Sequence, residues 1–199
     1  AVVKHRFDKQ YRHPILNARL NKHRTRAEVK GMMKAKQVGV DTPAIFFVDG
    51  DKCEIIMERV EGETAKCWIE SKRADGPEAL DTAMSQLGER MGERVAKMHA
   101  AGMIHGDLTT SNVLLRRGDI DHMVFIDFGL SSSLKVTAEE KGVDMYVLER
   151  AVASTHHGGA KIMEAFFQAY SKFGGKQATA ALAKLDEVRL RGRKRDMCG

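Results

Sequence analysis

The sequence predicts an α+β fold in which a small strand-rich half precedes a larger helical half. Strand-type runs crowd the front of the chain: "AVVK", then "AIFFV" and "CEIIM" joined by the turn residues "DGDK", which together read as a hairpin. From Pro77, a residue suited to the first position of a helix, the period changes. Leu80, Met84, Leu87, Met91, Val95 and Met98 recur at steps of four and three, the spacing of one buried helix face. The chain closes on helical stretches around "GVDMYVLERAVAST", "AKIMEAFFQAYSKF" and "TAALAKLDEVRL".

Between these landmarks the elements follow in order. After "AVVK", a basic stretch runs to Pro14, and residues 15–38 have helical composition with a candidate break near Arg24. Thr25 and Glu28 have the spacing of a capping box, in which hydroxyl and carboxylate satisfy free amides at a helix start. "ERVEG" connects the two halves, so residues 1–62 are expected to form one unit and 63–199 the other. Two short strands, "NVLLR" and "HMVFI", flank the polar turn "RGDID", and Gly174 and Gly175 should stop a late helix. The methionine stripe reads as core packing, since the thioether fills irregular gaps.

Composition excludes several classes. Hydrophobic residues at 43% and charged residues at 30% describe a globular chain of 199 residues, long enough for two small lobes around a cleft. No apolar run reaches the roughly 18 residues that a membrane span needs, and no signal-peptide pattern opens the chain, so an intracellular protein without membrane contact is expected. Cys53, Cys67 and Cys198 are odd in number and widely spaced, which fits reduced thiols rather than a disulfide framework. Net charge is +6 and the cations are clumped in "KHRFDKQYRH", "RLNKHRTR" and "RLRGRKR", as on surfaces that meet polyanions and also on solvated charged faces.

The chemistry lies in "HGDLTTSN" and "DFG". These resemble the protein-kinase catalytic loop H-R-D-L-x-x-x-N and metal-binding turn D-F-G, with Asp107, Asn112 and Asp127 at the matching intervals. Phosphoryl transfer is mainly positioning and charge neutralisation. Asp107 is therefore the candidate carboxylate that orients the nucleophile, while Asn112 and Asp127 are the candidate Mg²⁺ ligands. Lys4, closing "AVVK", takes the place of the lysine that grips phosphates, with Glu28 as its helix partner; an exposed terminal lysine and the capping box are the alternatives for these two. Met57, Glu58 and Val60 fall where a kinase hinge binds adenine through backbone groups, and Leu114 where the floor of that slot lies. His105 is expected to pack on the D-F-G residues and order the turn. His156 and His157 read as surface residues.

Gly106 replaces the arginine of H-R-D, Thr109 stands where serine/threonine kinases usually carry lysine, and no A-P-E follows the short "LSSSLKVTAEEKGV". Together with "KGVDMYVLERA", "YRHPILNARLNKHRTRAEVK" and the closing "LDEVRLRGRKRDMCG", these features resemble the PRPK family, the small atypical kinase subunit of the KEOPS (EKC) complex, along the whole chain. The resemblance implies a bilobal protein-kinase-like fold, ATP and Mg²⁺ as cofactors, serine/threonine autophosphorylation, and an ATPase role supporting threonylcarbamoyladenosine modification of tRNA. It also implies a transferase subunit on the C-lobe, a small regulatory subunit on the N-lobe, and a basic tail of Arg189, Arg191, Arg193, Lys194 and Arg195 facing that partner or tRNA. Nucleus and cytoplasm are the implied compartments. Members of the family begin with two strands and a loop over the phosphates, whereas this chain opens at the third strand, so an N-lobe lacking the phosphate-loop strands is expected. A non-catalytic nucleotide-binding scaffold and a small-molecule phosphotransferase are the alternatives; "RLRGRKR" and "KGVDMYVLERA" argue against the latter.

Overall fold

The computed structural model describes residues 1–8 and 10–196, with side chains through residue 192. Strand β1 (Val2–His5) forms the edge of an antiparallel sheet with β2 (Ile45–Asp49) and β3 (Glu54–Met57), in the order β1-β3-β2. The expected hairpin is β2–β3, and Lys4 lies opposite Ile55 across the β1–β3 pair. Alternation along β1 leaves Val3, His5 and Phe7 exposed and turns Lys4 and Arg6 inward.

Helix α1 (Pro14–Gln37) packs beneath this sheet without a break at Arg24. Its first turn starts on Pro14, where the missing amide hydrogen costs nothing. The face it buries reads Asn17, Asn21, Thr25, Glu28, Met32 and Ala35, polar along its first half. Thr25 and Glu28 are therefore in mid-helix, and the capping-box reading is corrected: the Thr25 hydroxyl donates to the Asn21 carbonyl at 2.9 Å and Glu28 turns to β1.

A second antiparallel sheet, β4 (Gly62–Thr64), β5 (Val113–Arg116) and β6 (Met123–Phe125), supports the loops of the site. The expected strands are β5 and β6; β4 and the short helix α2 (Ala65–Ser71), capped by the Thr64 hydroxyl, were not foreseen. Helix α3 (Pro77–Ala100) begins on Pro77 as expected and buries Met84, Leu87, Met91, Val95 and Met98. It lies tightly on α5 (Ala160–Asp196): a Cβ at Gly88 would stand 2.1 Å from the Ile162 carbonyl oxygen. Helix α4 (Ala138–Thr155) carries a true capping box, Thr137 with Glu140. Helix α5 is interrupted at Gly175, whose φ of 54° and ψ of −142° leave the helical region, as the Gly174–Gly175 pair predicts. No helix among the described residues is long and apolar enough to cross a membrane.

Candidate active site

Four charged side chains from three parts of the chain meet at the mouth of β1. Lys4 Nζ lies 2.6 Å from Glu28 Oε1 and 2.9 Å from Asp127 Oδ1. The second Glu28 oxygen takes the Arg6 guanidinium at 2.5 Å, and the same Arg6 nitrogen stands 3.6 Å from Asp127 Oδ1. Glu28 is only 1% exposed, and both of its oxygens are paired with a cation, as a buried carboxylate requires. The Lys4–Glu28 partnership expected from the sequence is present. Arg6 was missed, although the Lys-x-Arg alternation of a strand was the signal that could have found it.

The catalytic loop builds the opposite wall. Asn112 Nδ2 donates to the Asp107 carbonyl at 2.8 Å and to Asp107 Oδ2 at 3.1 Å, which directs the Asn112 side-chain carbonyl away from Asp107. The Ile126 amide donates to the Asn112 carbonyl at 3.0 Å, so Asp127 emerges beside Asn112. Asp127 has a φ of 60°, a left-handed conformation that aspartate tolerates better than most residues and that swings its carboxylate toward Lys4. Partial burial works against its charge, yet Lys4 and Arg6 outweigh it and hold the carboxyl below the usual range. Asp107, Asn112 and Asp127 are thus brought together.

These are hard oxygen donors, the type that suits Mg²⁺, which keeps most of its shell for water and phosphate oxygens and takes few protein ligands. Among the described residues no cluster of three or more His, Cys, Asp or Glu side chains could hold a metal. Asp127 and the Asn112 amide carbonyl are the residues that could hold magnesium.

The loop is braced from beneath by residues that sequence reasoning assigned no role. Asp144, fully buried on α4, accepts the amides of His105 at 2.9 Å and Gly106 at 2.8 Å, and contacts His99 Nε2 at 3.2 Å. Burial opposes its charge, but the hydrogen bond to His99 and the amide of His105 hold its carboxyl low. His99 Nδ1 in turn meets the Tyr170 hydroxyl at 2.8 Å, tying the loop to α3 and α5. A lone aspartate in a helix carries no local signal of such a role. Gly106 has a φ of 83°, and a Cβ there would stand 2.2 Å from the Leu130 carbonyl oxygen; a left-handed glycine is what lets the loop pass under the D-F-G segment. His105 is buried, its ring 4.6 Å from that of Phe128 and its Nε2 3.0 Å from the Ile126 carbonyl, as expected for a residue that orders the turn. The surface reading of His156 is corrected: it is buried, and its Nε2 meets the Thr110 hydroxyl at 2.8 Å because α4 ends under the loop, whereas His157 is exposed.

The hinge residues follow β3. Met57 is buried in the core, and the Glu58 amide donates to the Ala44 carbonyl at 2.8 Å, so the backbone group Glu58 can offer a base is its carbonyl. The Glu58 carboxylate is held by Arg116 at 2.5 Å and by the Ala44 amide at 3.1 Å. Val60 is half-buried beyond it, and Leu114 is half-buried on β5, opposite Thr64 and Val124. In the tail, Arg189 is bound to Glu149 at 2.5 and 2.8 Å and to Asp186 at 2.8 Å, and lies over the Phe167 ring, while Arg191 pairs with Glu139 at 2.8 Å. Both arginines therefore already hold acidic partners on the helices. The side chains of Arg193, Lys194 and Arg195 lie outside the described residues.

The model of the Lipopolysaccharide kinase (Kdo/WaaP) family matches residues 3–170. The whole chain aligns at 46% identity with 81% of the EKC/KEOPS complex subunit Tp53rkb of Mus musculus, at 40% with 84% of the subunit BUD32 of Yarrowia lipolytica, and at 38% with 77% of the subunit bud32 of Dictyostelium discoideum. Among solved structures, WaaP in complex with acyl carrier protein superposes with a TM-score of 0.57 at 16% identity, covering 83% of this chain and 75% of that one, a likeness of fold alone. The fold is kinase-like α+β, with small N-terminal sheets and a helical C-terminal region. With its whole length aligned at such identities, the chain belongs to the Bud32/PRPK family of EKC/KEOPS complex subunits.

Proposed function

We propose that this chain is an ATP- and Mg²⁺-dependent atypical serine/threonine protein kinase and ATPase that works in a KEOPS complex to support threonylcarbamoyladenosine modification of tRNA. The observation that carries the reading is the convergence of Asp107, Asn112, Asp127 and Lys4, with Glu28 behind the lysine. When bound, Mg²⁺ neutralises phosphate charge. Asn112 and Asp127 hold it, and Lys4 supplies a further positive charge to the phosphates. Asp107, held by Asn112, accepts the hydrogen bond of a water in hydrolysis or of a Ser/Thr hydroxyl in phosphorylation, and so orients the nucleophile. Glu58 and Val60 offer backbone groups to adenine, with Met57 and Leu114 as its apolar surroundings.

In this reading residues 1–62 act as the N-lobe and 63–199 as the C-lobe, with the transferase subunit on the C-lobe and the small regulatory subunit on the N-lobe. The relatives' naming as complex subunits supports partners of this kind. The basic tail faces the partner or tRNA, and the protein works in nucleus and cytoplasm. Purified Asp127→Ala protein is expected to lose ATP turnover while keeping its circular-dichroism spectrum; undiminished turnover rejects the site. Removing Arg193, Lys194 and Arg195 is expected to lower tRNA-stimulated turnover and flatten its salt dependence, and an unchanged salt slope rejects the tail's role.

One observation favours a non-catalytic scaffold as the second reading: Asp127 faces two cationic side chains, Lys4 and Arg6, which oppose a further cation. A thermal-shift comparison with and without Mg²⁺-ATP separates the two, because a ligand that binds only the folded state raises its stability.

A further inference from the structure

Arg6 does something that the Lys4–Glu28 pair alone does not require. It enters from the residue after β1, on the same side of the chain as Lys4, and its Nε is buried with no hydrogen-bond partner among the described residues. Its position is therefore dictated by the far end of the guanidinium, where one nitrogen reaches both Glu28 Oε2 and the neighbourhood of Asp127 Oδ1. The chain makes room for it on the third side. A Cβ at Gly129 would lie 2.3 Å from that nitrogen, so glycine in "DFG" is what admits the guanidinium against the turn.

We infer that Arg6 is a positioning residue of this site: it secures the second oxygen of Glu28 and stands against Asp127 as an internal counter-cation with which a divalent metal has to compete. The inference rests on the proposed nucleotide site and deepens it. Two physical consequences follow. A lysine that turns to phosphate loosens its hold on Glu28, and a carboxylate buried this deeply cannot be left without a cation; Arg6 remains on it and keeps the helix in place. Both cations also lie nearest Oδ1 of Asp127, so Oδ2 is the oxygen that would be left for a metal. The guanidinium is held on Glu28 Oε2, so its charge stays beside Asp127 and opposes metal binding there. The site is thereby weakened for magnesium but aligned for turnover.

The test uses the full chain and measures the Mg²⁺ concentration giving half of the ATP-induced thermal shift, together with kcat for ATP hydrolysis. Arg6→Gln keeps much of the stem and removes the charge. Its half-saturating Mg²⁺ is expected to fall at least about threefold, because a cation beside the ligand no longer opposes the metal. Its kcat is expected to fall roughly tenfold or more, because Glu28 and Asp127 lose their alignment. Arg6→Lys restores the charge and should return half-saturation to within about twofold of the parent. Gly129→Ala, which displaces the guanidinium by contact, should move in the direction of Arg6→Gln. If the parent responds to Mg²⁺-ATP and folded Arg6→Gln shows an unchanged or higher half-saturating Mg²⁺, the inference is overturned alone. If the parent itself shows no Mg²⁺-ATP response, the proposed function falls and the inference with it. A lower melting temperature with both other quantities unchanged marks Arg6 as merely structural and also overturns it.

Discussion

Asn112 donates twice to Asp107, five residues earlier, once to its main-chain carbonyl and once to its carboxylate. This clamp closes the loop on itself and fixes the distance between the residue that orients the nucleophile and a residue that could hold the metal. Asn112→Ala removes both bonds and the ligand together. ATP turnover is expected to fall roughly a hundredfold or more, with little change in melting temperature because the clamp is half-exposed, as a malachite-green phosphate assay beside a thermal melt would show.

Glu28 is the buried hub of the charge network, and its two cations fix what its removal does. Glu28→Ala leaves Lys4 and Arg6 crowded on Asp127 and opens space beneath the sheet. A loss of about 3 kcal/mol in urea-unfolding stability is expected, the cost of breaking a buried ion pair. A loss within measurement error would mean that the carboxylate is not the anchor of α1.

Gly106 must carry both a left-handed backbone and the close pass of Leu130. Gly106→Ala is expected to cost about 1–3 kcal/mol and to disturb turnover beyond that, since the neighbouring Asp107 shifts with the backbone. Urea melts and turnover of the same preparation check it.

Of the buried histidines, His105 and His156 set the response to acid. Burial lowers the proton affinity of His105 and of His156 below the ordinary 6.5, with nearby Arg73 adding to the effect at His156. Both are neutral in the folded state, and the unfolded chain binds protons first. Stability is therefore full above about pH 6.5 and declines as pH falls from there toward the depressed folded values. Asp144, held below 3.8, contributes only at more acidic pH. Melting temperatures measured between about pH 7.5 and 5.5 should fall with acid, and His156→Gln should flatten the slope; a parent melting temperature flat over this range contradicts the burial argument.

The parts legible in the sequence were those whose signal is local. Asp107, Asn112 and Asp127 sit at fixed intervals in the chain, and the face from Met84 to Met98 announces itself because its buried residues are apolar. Helix α1 shows where that legibility ends. Its buried face begins Asn17, Asn21, Thr25, Glu28, so hydrophobic periodicity cannot find it, and the Thr25–Glu28 spacing imitates a helix start that Pro14 had already supplied. The genuine capping box, Thr137 with Glu140, has the same spacing and differs only in lying where a helix begins. His156 and Asp144 act across distances of 46 and 38 residues, on Thr110 and Gly106 respectively, and nothing in their own neighbourhoods marks the partner; Arg6 acts on Glu28 across 22 residues, and only its alternation with Lys4 hints at it.

The most direct measurement of the central claim is paramagnetic broadening by Mn²⁺, in place of Mg²⁺, of the side-chain amide of Asn112 and the backbone amides flanking Asp127 and Asp107, in the full chain with a non-hydrolysable ATP analogue. The account predicts that these signals broaden together at the first equivalent of metal, and that Asp127→Ala abolishes the effect. Nucleotide-dependent Mn²⁺ binding that leaves them sharp would contradict it.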